Sequence, residues 1–184
     1  MALPVVAVIG RPNVGKSTLF NRIIRKPLAI IDNTPGVTRD RNATEFEWNG
    51  RRFLLMDTGG FVIASRDTME QAVSEQTAIA IEEADLVLFL VDGRSGVTDM
   101  DGNISRMLIK SGKPVVLAVS KIDRNRDEPD IYEFYNLGLG EPMPISGVTG
   151  RGSGDLLDEI VDGIPDAAFE DDDPESVKVA LIGR

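Results

Sequence analysis

The sequence predicts an α/β fold built on a mainly parallel sheet. Two observations predict it. Short apolar runs alternate with amphipathic stretches along most of the chain. The runs PVVAVIG, DLVLFLVD and VVLAVS are apolar between their end residues, as strands covered on both faces are. Length and composition agree: 184 residues, 42% of them hydrophobic, suffice for one packed domain with some chain to spare.

PVVAVIG is the first strand. A helix follows over about residues 15–25, because Leu19, Phe20, Ile23 and Ile24 recur at helical spacing. Residues 28–43 show no period and read as a long loop. TEFEWNGRRFLLMD is a hairpin, with Asn49-Gly50 at a tight turn that needs positive φ. Its second strand, FLLM, ends at Asp57. After a glycine-marked loop, Met69, Ala72, Val73, Gln76 and Ala80 place a helix near 69–83. DLVLFLVD is a further buried strand. Ile104, Met107 and Leu108 lie on a helix stopped by Ser111-Gly112, and Pro114 opens the strand VVLAVS. A shorter helix is expected over 129–135, then the short strand PMPIS. Leu156, Leu157, Ile160 and Val161 form a last helix, stopped by Gly163 and Pro165. The inventory is six strands and about five helices, complete by residue 163.

Composition removes several chemistries. With no cysteine there is no disulfide framework, thiolate metal site or cysteine nucleophile, which suits a reducing, cytoplasmic location. With no histidine, a Ser-His-Asp triad and a zinc-imidazole site are excluded. No apolar run is long enough to span a bilayer, and the N-terminus lacks a basic region before its short apolar stretch. Of the net charge of −10, residues 155–184 carry −8. The rest is nearly neutral, so no basic nucleic-acid-binding surface shows in the totals.

Residues 10–17, GRPNVGKS, match G-x-x-x-x-G-K-[ST] in full, between a buried strand and an amphipathic helix. Glycines there let backbone N–H groups wrap a polyphosphate, and the helix N-terminus adds a positive dipole. Lys16 is expected to neutralise the β- and γ-phosphates, and Ser17 to place its hydroxyl on Mg²⁺. A second metal-holding carboxylate belongs at the end of a neighbouring strand, and MDTGG offers Asp57, with Gly59-Gly60 open to a γ-phosphate. Thr38, in TPGVTRD, is a candidate Mg²⁺ ligand engaged when the γ-phosphate is bound. VVLAVSKID sets Ser120, Lys121 and Asp123 at another strand end. There Asp123 can accept two N–H donors from guanine that adenine lacks, with Lys121 along the base. Backbone N–H groups near Ser146 and Gly147 could meet the guanine O6. Taken singly, the last three signals are weak; their order gives them weight.

With these stations in this order, residues 4–163 resemble the translation-factor-like GTPases. GRPNVGKSTLFNR, TPGVTRDR and DTGGF are more specific and resemble the Der (EngA) family, which carries two tandem GTPase domains and a KH-like domain. The resemblance implies a P-loop NTPase fold of the Ras-like kind, with a six-stranded, mostly parallel sheet containing one antiparallel strand. It implies a cytoplasmic, Mg²⁺-dependent GTPase that binds GTP and GDP and acts in large ribosomal subunit assembly. Contact with that subunit or its rRNA would come through the full-length protein. The implied nucleotide-binding residues are Gly10, Asn13, Val14, Gly15, Lys16, Ser17, Thr18, Asp57, Gly60, Ser120, Lys121, Asp123, Ser146 and Gly147. Lys16, Thr38 and Gly60 are the catalytic candidates. Ser17, Thr38 and Asp57 are the Mg²⁺ candidates.

Two positions depart from common patterns. Phe61 stands where many GTPases place a water-orienting glutamine. It resembles a subclass with a hydrophobic residue there, some of whose members use potassium, and Asn13 is the candidate K⁺ ligand. Ser120 stands where the family has asparagine, whose amide reaches guanine N7 and braces the phosphate loop. Phe61 keeps open a second reading, a nucleotide-binding conformational switch with negligible hydrolysis in isolation. Arg39 and Arg41 are nearby candidates for a charge-stabilising arginine. A third reading, an ATP-using kinase, lacks an evident acceptor site and lid.

The chain's last stretch, VKVALIGR, repeats five of the seven residues of VVAVIGR at a distance of 173 residues. The expected organisation is therefore a GTPase domain over 1–163, an acidic linker over 164–176, and over 177–184 the first strand and phosphate-loop start of a second GTPase domain.

Overall fold

Strand β1 (Val5–Ile9) occupies the middle of a six-stranded sheet because both of its faces are apolar. In a computed structural model of the protein, the described residues are 3–24, 43–58 and 66–169, side chains excepted for 66–74 and 125–130. The other elements are α1 (Lys16–Ile24), β2 (Ala43–Trp48), β3 (Arg51–Asp57), α2 (Arg66–Glu83), β4 (Leu86–Asp92), α3 (Asp99–Ser111), β5 (Val115–Ser120), β6 (Met143–Pro144) and α4 (Ser153–Gly163). Two 3₁₀ segments, Asn125–Leu137 and Asp166–Ala168, complete the set. The sheet order is β2-β3-β1-β4-β5-β6, with β2 and β3 antiparallel and every other pair parallel. This is the six-stranded, mostly parallel sheet with one antiparallel strand that the resemblance implied.

The period-two alternation along each strand divides the core into two layers. Val6, Val8, Leu86, Leu88 and Leu90 face one side, with Leu19 and Ile23 of α1 and Leu156, Leu157 and Ile160 of α4. Ala7, Ile9, Val87, Phe89 and Val91 face the other, with Ala80 and Ile81 of α2, Ile104 and Leu108 of α3, and Phe134. All seven residues of β4 are buried, so it is the strand both layers share. The β2–β3 hairpin turns at Asn49 (φ 51°) and Gly50 (φ 76°), the two successive positive φ values that match strand twist. Its register sets Phe46 opposite Phe53, with ring centroids 5.4 Å apart. Such a pair is worth about 0.5–1.5 kcal/mol beyond its area burial.

Three boundaries differ from expectation: the strand expected over PMPIS is confined to Met143–Pro144, and two helices also differ. The helix expected near 69–83 begins at Arg66. The short helix expected over 129–135 is a longer 3₁₀ run. Pro129 supplies no N–H there, and Ile131, Phe134 and Leu137 recur every three residues, the 3₁₀ period. Beyond α4, Ile164 is buried, and Ala168 and Phe169 pack against the first core layer, with the Arg51 guanidinium 4.8 Å over the Phe169 ring. Residues 170–184, including VKVALIGR, lie outside the described residues.

α3 is capped at both ends. The Thr98 hydroxyl accepts from the Asp101 N–H while the Asp101 carboxylate accepts from the Thr98 N–H, and Gly112 closes the helix in the left-handed region. This capping fixes the loop between β4 and α3, which borders the site.

Candidate nucleotide site

The candidate site lies along the C-terminal ends of the parallel strands, where ligands bind in open α/β sheets. The phosphate loop is the segment from Gly10 to Gly15, between β1 and α1. Asn13 (φ 66°) and Gly15 (φ 100°) both adopt left-handed backbone, which turns successive N–H groups toward one side. α1 adds its orphan first-turn amides and its dipole. Val14 is buried, whereas Asn13, Ser17 and Thr18 are exposed.

Gly10 is fixed by space. A Cβ there would lie 2.3 Å from the Leu90 carbonyl oxygen and 3.0 Å from Val14 Cγ2. A Gly10→Ala variant is expected to push the loop away from β4. It should lose about 1–3 kcal/mol of stability by overpacking, and nucleotide affinity with it. Denaturant melts and GDP titration check both effects.

Lys16 is buried at the start of α1, and its ammonium donates to the Gly10 carbonyl (2.6 Å) and the Arg11 carbonyl (2.9 Å). Burial pulls its pKa below the usual lysine value, and the negative charge of Asp57 restores part of the loss. Asp57 ends β3 directly opposite Val8 of β1, and the Thr58 hydroxyl pins that strand end by donating to the Val8 carbonyl (2.7 Å). The Ser17 hydroxyl and the Asp57 carboxylate are hard oxygen donors flanking the same lysine. That donor set fits Mg²⁺, which takes one or two protein oxygens and fills its shell with phosphate and water oxygens. Among the described residues no cluster of three or more acidic side chains forms an all-protein metal cage. Thr38, Gly60, Phe61, Arg39 and Arg41 lie outside the described residues.

The base side is a cavity of about 200 Å³ lined by Val14, Gly15, Thr18, Lys121, Asp123 and Gly147, with Arg94 at its edge. The structure therefore brings Ser120, Lys121, Asp123, Ser146 and Gly147 together at the loop's flank. The Ser146 hydroxyl donates to Asp123 Oδ1 (2.6 Å) and accepts from the Thr149 N–H (3.0 Å), so the carboxylate is oriented from the 146–149 turn. Ser120 is buried, and its hydroxyl donates to the Val14 carbonyl (2.5 Å). Serine thus makes a phosphate-loop brace of the kind that the resemblance gives to asparagine. A hydroxyl, which has no amide arm, supplies no reach toward a base nitrogen.

Lys121 is a non-glycine residue at φ 65°, a conformation that costs about 1–2 kcal/mol. Two contacts hold it there: its ammonium donates to the Asn13 carbonyl (2.8 Å) and pairs with Asp92 Oδ2 (2.6 Å). Burial alone would raise the Asp92 carboxyl. The Lys121 bond, the Arg94 amide, the Lys121 charge and the Arg11 charge outweigh it and hold Asp92 below the ordinary aspartate range.

Asp92, Arg94 and Arg11 are site residues that sequence reasoning missed. Asp92 carried a signal, since it ends a fully apolar strand as Asp57 does. Arg94 carried none. Arg11 sits in the phosphate loop, but its guanidinium turns to α3, bonding the Ser95 hydroxyl and lying 3.4 Å from Asp101.

Comparison with known proteins bears on the family and the fold. A family described as 50S ribosome-binding GTPase matches residues 5–121. All 184 residues align at 51% identity with GTPase Der of Clostridium novyi, and at 50% with GTPase Der of Enterococcus faecalis. The chain spans 42% of the length of each of these relatives. Among solved structures, a variant of Aquifex aeolicus Era bound to GDP·AlF4⁻ superposes with a TM-score of 0.69 at 30% identity, over 90% of this chain and 58% of that one. Era in complex with MgGDPNP and a segment of 16S ribosomal RNA gives the same values. The G domain of the T. maritima FeoB iron transporter superposes with a TM-score of 0.61 at 28% identity, over 88% of this chain and 99% of that one.

Proposed function

The chain belongs to the 50S ribosome-binding GTPase family, and we propose that it is the first GTPase domain of a Der-like protein. In this reading it hydrolyses GTP to GDP and phosphate and reports nucleotide state during large ribosomal subunit assembly. The domain runs over 1–163, with residues 164–169 packed on it. The acidic linker expected over 164–176 thus has its first residues against the domain, and residues 177–184 would begin a second GTPase domain. Large-subunit or rRNA contact belongs to the longer protein, which acts in the cytoplasm. Among the described residues no helix is long and apolar enough to cross a membrane.

One observation carries the proposal. The phosphate loop and the base cavity share bonds: Ser120 holds the Val14 carbonyl and Lys121 holds the Asn13 carbonyl. A nucleotide spanning both halves meets a single connected frame. Lys16 and the loop amides would bind the β- and γ-phosphates, while Asp123, oriented by Ser146, would accept the two N–H donors of guanine. In the reaction, water attacks the γ-phosphorus, the bond to the β–γ bridging oxygen breaks, and GDP leaves with the electrons of that bond. Positioning and electrostatic stabilisation supply most of the catalysis in this chemistry. Ser17, Asp57 and Thr38 would hold a Mg²⁺ ion, which would supply positive charge against that of the phosphates. Gly60 would approach the γ-phosphate with its amide.

With Phe61 in place of a water-orienting glutamine, a potassium ion at Asn13 is the proposed substitute for an arginine's charge. Single-turnover GTP hydrolysis should run faster in K⁺ than in Na⁺ at equal ionic strength. Equal rates would remove Asn13 from the mechanism, and an ATP that competes as well as GTP would remove the guanine assignment.

A further inference from the structure

The carboxylate expected to read guanine is already engaged by an arginine. Arg94, on the loop after β4, donates through Nη2 to Asp123 Oδ2, while Ser146 holds Oδ1. Arg94 lines the same cavity as Lys121, Asp123 and Gly147. Its root is fixed, because its backbone N–H donates to Asp92 Oδ1 (2.9 Å) and the other oxygen of Asp92 holds Lys121. Its side chain is 68% exposed, so the guanidinium can leave for water without stranding a buried charge.

A guanidinium offers a carboxylate in-plane N–H donors. A guanine edge offers the same through N1–H and the 2-amine. The two are alternative partners for one face of Asp123. We propose that Arg94 is an affinity-setting residue of the base pocket, competing with guanine for Asp123. A guanine edge replaces the donors that the departing arginine removes. An adenine edge, with an acceptor at N1 and no 2-amine, does not. The inference rests on the guanine-nucleotide reading above and adds an internal competitor to it.

The pair is exposed, so its competition is modest. Apparent affinity falls by the fraction of molecules in which Asp123 is released, and exposed ion pairs bias such an equilibrium by roughly 2- to 5-fold. The test is calorimetric titration of GDP, ADP and guanosine against the intact chain, Arg94→Ala and Arg94→Lys. Arg94→Ala keeps the backbone amide and hence the Asp92 anchor. It is expected to bind both GDP and guanosine about 2- to 5-fold tighter, with Arg94→Lys between it and the unmodified chain. An equal gain for guanosine, which has no phosphates, locates the effect at the base. Unchanged or weaker GDP binding by Arg94→Ala overturns the proposal, as does a gain confined to GDP. If the unmodified chain binds ADP as tightly as GDP, the guanine reading fails and the proposal with it. If it prefers GDP while Arg94→Ala matches it, the proposal alone fails.

Discussion

Lys16→Ala is expected to remove nucleotide binding at micromolar protein while leaving the sheet folded. The ammonium is a buried charge aimed at the loop that would hold the phosphates. Truncating one partner of a buried charge pair costs about 2–5 kcal/mol, roughly 30- to 4,000-fold in affinity. Fluorescent-GDP titration reads the loss, and a preserved circular dichroism melt separates it from unfolding. The pH dependence follows from the same burial. Folding places the charged lysine in a site that disfavours it, so its pKa lies below the usual 10.5. The unliganded protein should therefore gain stability as pH rises from the folded pKa toward 10.5, because the unfolded chain binds more protons there. Nucleotide phosphates favour the charged form and raise the pKa. Affinity should then fall as pH rises through the value of the free protein. In Lys16→Ala both trends should vanish from that window; their persistence would assign them to another group.

How far the sequence was legible depended on where the physical constraint sits. The phosphate loop was readable because its requirements are local: backbone turned at Asn13 and Gly15, a close approach at Gly10, and Lys16 one residue into a helix. That β1 and β4 are covered on both faces was readable from their unbroken apolar runs. The 3₁₀ run over Asn125–Leu137 was misjudged because three-residue and helical spacing differ little over one short segment. Arg94 was not readable at all. Its role arises from pairing with a residue 29 positions away, which only the sheet order brings near. Ser120 shows the same limit from the other side. Serine stands where the family has asparagine, and its buried hydroxyl still reaches the Val14 carbonyl because β5 lies beside β4.

These long-range contacts tie the end of β5 to the phosphate loop as well as to the candidate base cavity. Ser120 and Lys121 hold successive carbonyls of the phosphate loop, and Lys121 is strained to do so. Asp92 secures Lys121, and through the Arg94 amide it also sets the loop that borders the cavity. A change on the base side is thereby felt by backbone atoms that would touch phosphate. Base and phosphate affinities should not be independent here, since groups in one hydrogen-bonded network couple by about 0.5–3 kcal/mol.

Asp123→Asn isolates the base term within that frame. The substitution preserves shape but replaces one acceptor oxygen with an NH₂ donor and removes the charge. Against guanine, one N–H would then face another N–H, and the remaining bond would lose its charge assistance. Hydrogen bonds to charged groups are worth about 1.5–3 kcal/mol each, so two such losses predict GTP weaker by about 3–6 kcal/mol, roughly 10²- to 10⁴-fold. Xanthine carries a carbonyl where guanine has its 2-amine, which the new amide can satisfy. XTP should therefore overtake GTP as the preferred nucleotide. Competition titrations of GTP, XTP and ATP against the variant decide it. Equal weakening of GTP and XTP would mean that Asp123 supports the cavity without reading the base. The Ser146 hydroxyl, whose acceptor is Asp123 Oδ1, would then be the contact whose loss matters, and Ser146→Ala should reproduce the defect.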